Sequence, residues 1–165
     1  MMTDSHDDGL RPDSEAKILQ ILENSGCEYR TRSFDSKAHH ASDAAALLGC
    51  PLGAVVKSLV FQNVENGRIA LVLVSGENRV DINQLSQILG FKIQPAKPGD
   101  IQTLTGYPVG AVPPIGVQTN YPVIIDADLM SHKAVWASAG SVHTLVQVKS
   151  NDLRTLTQGR VEKIQ

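Results

Sequence analysis

Val55-Val56-Lys57-Ser58-Leu59-Val60-Phe61-Gln62, then Asn66-Gly67, then Arg68-Ile69-Ala70-Leu71-Val72-Leu73-Val74-Ser75: these two apolar, β-branched runs around a turn dipeptide decide the fold. Asn-Gly between such runs predicts an antiparallel hairpin, because both residues accept the left-handed backbone angles of a tight turn. Residues two apart on a strand share a face, so Val55, Lys57, Leu59 and Phe61 line up, while Ser58 and Gln62 take the other side. Lys57 is then the charged exception on the more apolar face. An ammonium placed there needs an anion or a path to water. Two readings stand side by side: a lysine facing a phosphate or a developing oxyanion in a cleft, and a lysine reaching solvent at a sheet edge.

Around the hairpin, helices and short strands alternate. Ile18, Ile21 and Leu22 recur at helical spacing over Ser14 to Ser25, with Gly26 as the stop. Residues 27–34 read as a strand. The alanine-rich stretch Ser42 to Leu48 reads as a helix with Ser42 or His40 near its cap and Gly49 at its end. Asp81 opens a helix through Leu89 that Gly90 closes. A short strand at 92–94 and a helix from about Pro98 to Leu104 follow. Val123–Ile125 is a strand, Asp126 caps a brief helix, 134–138 and 143–148 are strands, and Asp152–Leu156 is a short helix. Hairpins among interleaved helices predict an α/β fold of the mixed α+β kind, its mixed sheet partly barrel-like and surrounded by helices.

The chain has 165 residues, 42% hydrophobic and 19% charged, which fits one domain with a full core. Residues 14–165 form that domain, and the polar, acidic residues 1–13 read as a tail rather than a secretory signal. A formal net charge of −2 argues against a broad footprint for duplex or sequence-specific DNA, while leaving room for a local basic patch that holds one end of an RNA. Cys27 and Cys50 give no disulfide framework, which points to a cytoplasmic protein. No run approaches the roughly 20 apolar residues needed to cross a bilayer, so no membrane partner is expected.

Two further segments carry chemistry. Gly110-Ala111-Val112-Pro113-Pro114-Ile115-Gly116 brackets stiff prolines with glycines and predicts a rigid rim whose backbone comes close to a ligand. Ala137-Ser138-Ala139-Gly140-Ser141-Val142-His143-Thr144 leaves room beside the sheet, and its glycine marks a close approach. Ser141 and His143 look like a nucleophile and base, but two strand positions apart they are not assured hydrogen-bond reach, and no G-x-S-x-G elbow is present.

In order and separation, Lys57-Ser58-Leu59-Val60-Phe61, Ser75-Gly76-Glu77-Asn78-Arg79-Val80-Asp81, the Gly110–Gly116 loop, Ala139-Gly140-Ser141-Val142-His143 and Asp152-Leu153 resemble the YbaK/ProX family of free-standing aminoacyl-tRNA deacylases. That family is related to the editing domain of bacterial prolyl-tRNA synthetase. The resemblance covers nearly all of the chain after about residue 14. It implies hydrolysis, in trans, of the ester joining a small non-cognate amino acid to a tRNA, with tRNA for proline as the acceptor and a synthetase as a further partner. It assigns Lys57, Gly110 and Gly140 to catalysis. Ser58, Ala111, Val112, Pro113, Pro114, Ser141 and His143 then contact the substrate. Such an ester is already activated, so positioning and oxyanion stabilisation suffice, and neither cofactor nor metal is expected. The alternative is a non-catalytic module that binds an aminoacyl-tRNA end, a nucleotide or a synthetase.

The remaining polar residues have plainer readings. His39-His40 is a surface pair, at a place where the family commonly has a small hydroxyl residue. Trp136 is core or pocket wall, and Asp126 is a helix cap rather than an acid. His143 is expected to recognise the aminoacyl group or orient water, not to act as an obligatory base.

Overall fold

The computed structural model of the chain describes residues 13–35, 40–117 and 120–165. Helix α1 (Asp13–Ser25) begins one residue before the expected start, and strand β1 (Tyr29–Ser33) comes after it. The rest of the expected tail lies outside the described residues. Next come α2 (Ala41–Leu48), β2 (Val56–Asn63), β3 (Ile69–Ser75), α3 (Ile82–Leu89) and β4 (Ile93–Pro95). The helix expected from Pro98 opens as a 3-10 turn at Pro98–Asp100 and continues as α4 (Ile101–Thr105). Then β5 (Val123–Asp126), a 3-10 turn (Ala127–Ser131), β6 (Ala134–Ser141), β7 (Thr144–Lys149), α5 (Ser150–Thr157) and β8 (Arg160–Glu162) complete the chain.

The local signals act as their chemistry demands. The Asp81 carboxylate accepts the Gln84 amide at 3.0 Å at the start of α3, and Gly90 ends that helix in the left-handed region. Asp126 caps the turn after β5, accepting the Asp128 amide at 3.0 Å. His40, not Ser42, occupies the cap position of α2 and makes no side-chain cap bond. The hairpin loop is longer than a two-residue turn: Asn63 donates its amide to the Arg68 carbonyl, and Gly67 supplies the positive φ.

Among the described residues the strands divide into two sheets, and no barrel closes. One runs β4-β2-β3-β5-β8; β2 is antiparallel to both β3 and β4, and β5 is parallel to both β3 and β8. The other is β1-β7-β6, all antiparallel. A single bridge between Val55 and Trp136 ties them together. β3 is buried at every position, which explains its unbroken apolar run. Between the sheets lies a core of Val56, Val60, Leu71, Leu73, Ile125, Val135, Ala137 and Val146, closed by Ile18 and Leu22 of α1. On the other face of the larger sheet, α3 packs Leu85 on Phe61, Val72 and Val74. Among the described residues no helix is long and apolar enough to cross a membrane.

Candidate active site

A cavity of ≈ 550 Å³ opens along β2. Its walls come from α2 (His40, Ala41, Ala44), β2 with Val55, the β4–α4 segment (Pro95, Ala96, Pro98, Ile101), the glycine-proline loop (Val109, Gly110, Val112), and Ser138 with Leu145. The position of β2 explains why consecutive residues from Val55 to Phe61 reach it. On its outer side this segment pairs with β6 only through the Val55 bridge just before β2, and with β4 only from Phe61 onward. Among the described residues no strand pairs with that edge from Val56 to Leu59.

An unpaired edge carries backbone groups of alternate residues. Val60 uses its carbonyl on this side, accepting the Ala96 amide at 3.0 Å. By alternation the N–H and C=O of Ser58 face the same way, along the cavity. The Ser58 hydroxyl is itself buried and has no hydrogen-bond partner. Leaving such a group unsatisfied costs about 1–3 kcal/mol. A polar atom brought within reach would relieve that cost, and the Ser58 N–H and C=O are polar groups on a mostly apolar wall.

Lys57 also borders the cavity, but its side chain leaves β2 on the opposite face from Ser58, with Leu59 and Phe61. Its ammonium donates to the carbonyl of Asn78 in the loop after β3. The Asn78 amide is held in turn, donating to Asp126 Oδ2 and Asp128 Oδ2 at 2.8 Å each. Asp126 is fully buried and also accepts the Ser75 amide. Burial pushes the Lys57 pKa down, the Arg79 charge lowers it further, and Asp126 partly opposes both. The Ser75–Asp81 motif thus places a cation with a weakened hold on its proton at the cavity edge.

The glycine-proline loop is less of a rim than its composition suggests. Gly110 is exposed with φ +83° and lines the cavity, whereas Ala111 through Ile115 are all buried. Val112 and Ile115 enter the main core, and Ala111, Pro113 and Pro114 sit behind the wall that Gly110 and Val112 form. Apolar residues in a stiff loop gain more by joining the core than by facing water. The Ala111 amide is committed to the Pro108 carbonyl at 3.0 Å. Its carbonyl accepts the Ser138 hydroxyl at 2.9 Å, and that hydroxyl accepts the Gly140 amide at 3.1 Å. Ser138 therefore ties the loop to the last residues of β6.

Gly140 does not border the cavity. Its φ is +98°, and an added Cβ would lie 2.8 Å from the Ser14 carbonyl oxygen and 3.2 Å from the Tyr107 ring. The glycine lets α1 approach the sheet. Ser141 and His143 also lie outside the cavity wall, and they do not form a nucleophile–base pair: the Ser141 hydroxyl accepts the His143 amide at 3.3 Å. The imidazole Nδ1 lies 3.1 Å from the Phe34 carbonyl, which can only accept, so Nδ1 carries the proton. His143→Ala is accordingly expected to lower the thermal midpoint by a few degrees, for loss of one hydrogen bond worth about 1 kcal/mol. Preference among aminoacyl groups should stay as in the wild type. A changed preference in single-turnover assays would return His143 to the site.

Several wall residues escape a reading from the sequence. His40 is exposed, as expected, and also borders the cavity; its neighbour His39 lies outside the described residues. Ser138 could have been singled out as the polar residue among alanines on its strand. The Asn78–Asp126–Asp128 cluster has no short-range signature, since Asn78 comes from the loop after β3 and the two aspartates from the end of β5 and the turn that follows it. Trp136 is buried in a small cluster with Ala44, Val55 and Leu145, beside the wall. Burial raises the Cys50 thiol pKa, which disfavours the nucleophilic thiolate.

An apolar cavity on a mixed sheet, bordered by one lysine and a few hydroxyl and backbone groups, suits hydrolysis of an activated ester. The profile of the aminoacyl-tRNA editing domain matches residues 35–156, and the chain belongs to that family. It is similar to the multifunctional Ser/Thr-tRNA deacylase ProXp-y of Escherichia coli K12, at 24% identity over 86% of this chain and 87% of that one. An Enterococcus faecalis protein, EbsC, named as a candidate Cys-tRNA(Pro)/Cys-tRNA(Cys) deacylase, is 24% identical over 91% of this chain and 93% of its own. The crystal structure of a candidate trans-editing enzyme for prolyl-tRNA synthetase superposes with TM-score 0.86 at 32% identity, covering 94% of this chain and 99% of that one.

Proposed function

We propose that this protein is a free-standing aminoacyl-tRNA deacylase that hydrolyses the ester on tRNA charged with a small non-cognate amino acid, tRNA for proline being the acceptor. The observation that carries this is the cavity along the open edge of β2, which Lys57, Ser58 and Gly110 all border, in a chain of the editing-domain family. The aminoacyl group enters beside Ser58, whose backbone and hydroxyl groups meet its amine or its carbonyl oxygen. Lys57 releases the Asn78 carbonyl to pair with the terminal phosphate. Gly110 lets the chain come close to the ester. Water adds to the carbonyl carbon, the bond to the ribose oxygen breaks, and that oxygen takes a proton. A neighbouring ribose hydroxyl orients the water, so no side chain is needed as an obligatory base. The enzyme acts in trans to the synthetase, in the compartment where translation takes place.

Release of labelled amino acid from a panel of tRNAs charged with alanine, cysteine, serine, threonine and proline tests the reading. Hydrolysis of at least one mischarged tRNA for proline, with the prolyl ester spared, is the expected result. Tight binding of the panel without release would make the protein a binding module instead. Repeating the assay with prolyl-tRNA synthetase present shows whether a synthetase partner alters turnover.

A further inference from the structure

β1 is an outer strand of the smaller sheet, and it carries two arginines at alternate positions. Alternate residues share a face, so Arg30 and Arg32 project together. In the register with β7, Arg32 stands opposite Leu145 and Arg30 opposite Gln147. Leu145 in turn stands opposite Ser138 on β6. Directly opposed residues share a face of the sheet, so Arg32, Leu145 and Ser138 form one row. The last two line the cavity. With strands about 4.8 Å apart, Arg32 rises one strand beyond the cavity wall.

The guanidinium of Arg32 lies over the Phe34 ring, 5.1 Å from its centroid. Its Nε is buried without a hydrogen-bond partner. Among the described residues the two ion pairs are Lys149–Glu28 and Arg160–Glu162, and neither involves Arg30 or Arg32. A half-buried guanidinium without a carboxylate has lost part of its hydration and gained no counter-charge. The ring contact helps position the guanidinium, and among the described residues no hydrogen bond engages its outer nitrogens. That arrangement suits an incoming anion, and Arg30 extends the positive charge along the strand, away from the cavity.

We propose that the Arg30–Arg32 face of β1 binds the phosphodiester backbone of the single-stranded 3′ end of tRNA, with Arg32 on a phosphate upstream of the terminal one that Lys57 meets. This surface sets the direction from which the RNA enters. The assignment deepens the deacylase reading and rests on it. It also explains how a chain of net charge −2 holds RNA, by a short basic strand rather than a broad patch.

The test is equilibrium binding of a fluorescent single-stranded RNA with the tRNA 3′-terminal sequence, titrated with salt, alongside hydrolysis of an aminoacyl adenosine that lacks the upstream phosphates. Arg32→Gln is expected to weaken RNA binding about 10-fold, as for one lost charge-assisted hydrogen bond. It should also reduce the slope of log K against log salt by about 0.7, one single-strand phosphate contact. Hydrolysis of the aminoacyl adenosine should keep its wild-type rate, and Arg32→Lys, which retains the charge, should keep most of the slope. Arg30→Gln should repeat the pattern more weakly. An unchanged affinity and slope in a folded Arg32→Gln variant would overturn the proposal, and so would equal loss on RNA and on the aminoacyl adenosine. Failure of the wild type to hydrolyse any aminoacyl ester would overturn the deacylase reading alone, because the binding slopes are read without turnover.

Discussion

Lys57→Ala should fold normally and lose roughly two to three orders of magnitude in deacylation, the range for removing one positioned charge from a transition state. Folding is spared because Lys57 is only half-buried, and its removal frees one backbone carbonyl, that of Asn78, in a loop already pinned through Asp126 and Asp128. Single-turnover rates together with thermal melts decide the matter. Wild-type turnover by the folded variant would remove Lys57 from the mechanism. The pH profile provides an independent readout. Burial and Arg79 lower the Lys57 pKa, so a step that needs the ammonium should fail on the alkaline side below the pH of an ordinary lysine. Arg79→Gln removes one of the two lowering causes, and the alkaline limb should move to higher pH. A limb that stays in place in Arg79→Gln would mean that another group titrates there.

Gly140→Ala carries the second large effect, and it falls on stability. The residue sits at φ +98°, where an L side chain costs about 1–2 kcal/mol, and its Cβ would press on the Ser14 carbonyl oxygen at 2.8 Å. Overpacking against backbone adds about 1–3 kcal/mol. For a chain of this size the thermal midpoint should drop by roughly 5–15 °C. Activity below that midpoint should fall with the folded fraction, plus whatever the Ser138 link transmits to the Gly110 loop. Gly110→Ala is the contrasting case, because Gly110 is exposed and its φ of +83° disfavours an L side chain. It should lose a few degrees and a larger share of its activity. A Gly140→Ala protein with an unchanged midpoint and no activity would restore Gly140 to the catalytic group, and a Gly110→Ala protein with full activity would make that loop structural.

Where chemistry acts over a few residues, this sequence by itself determined the outcome. The apolar runs on either side of Asn66-Gly67 form β2 and β3, Asp81 caps α3, Asp126 caps the turn after β5, and Gly49 and Gly90 end helices in the left-handed region. All of these depend on backbone angles and hydrogen bonds that neighbouring residues supply. The alternation of β2 likewise separates Lys57 from Ser58. The element lying across from each face was decided only by tertiary structure. β8 has three residues and no period to read, and it exists because β5 offers it a parallel edge. The strands end in two sheets because the only pairing between them, among the described residues, is the Val55–Trp136 bridge, and the cavity opens beside it. Burial drew Ala111 through Ile115 into the core and left Gly110 at the wall. The partners of Lys57, Ser138 and His143 come from strands and loops remote in sequence. No local pattern encodes such contacts, because their free energy comes from packing that forms only when distant segments meet.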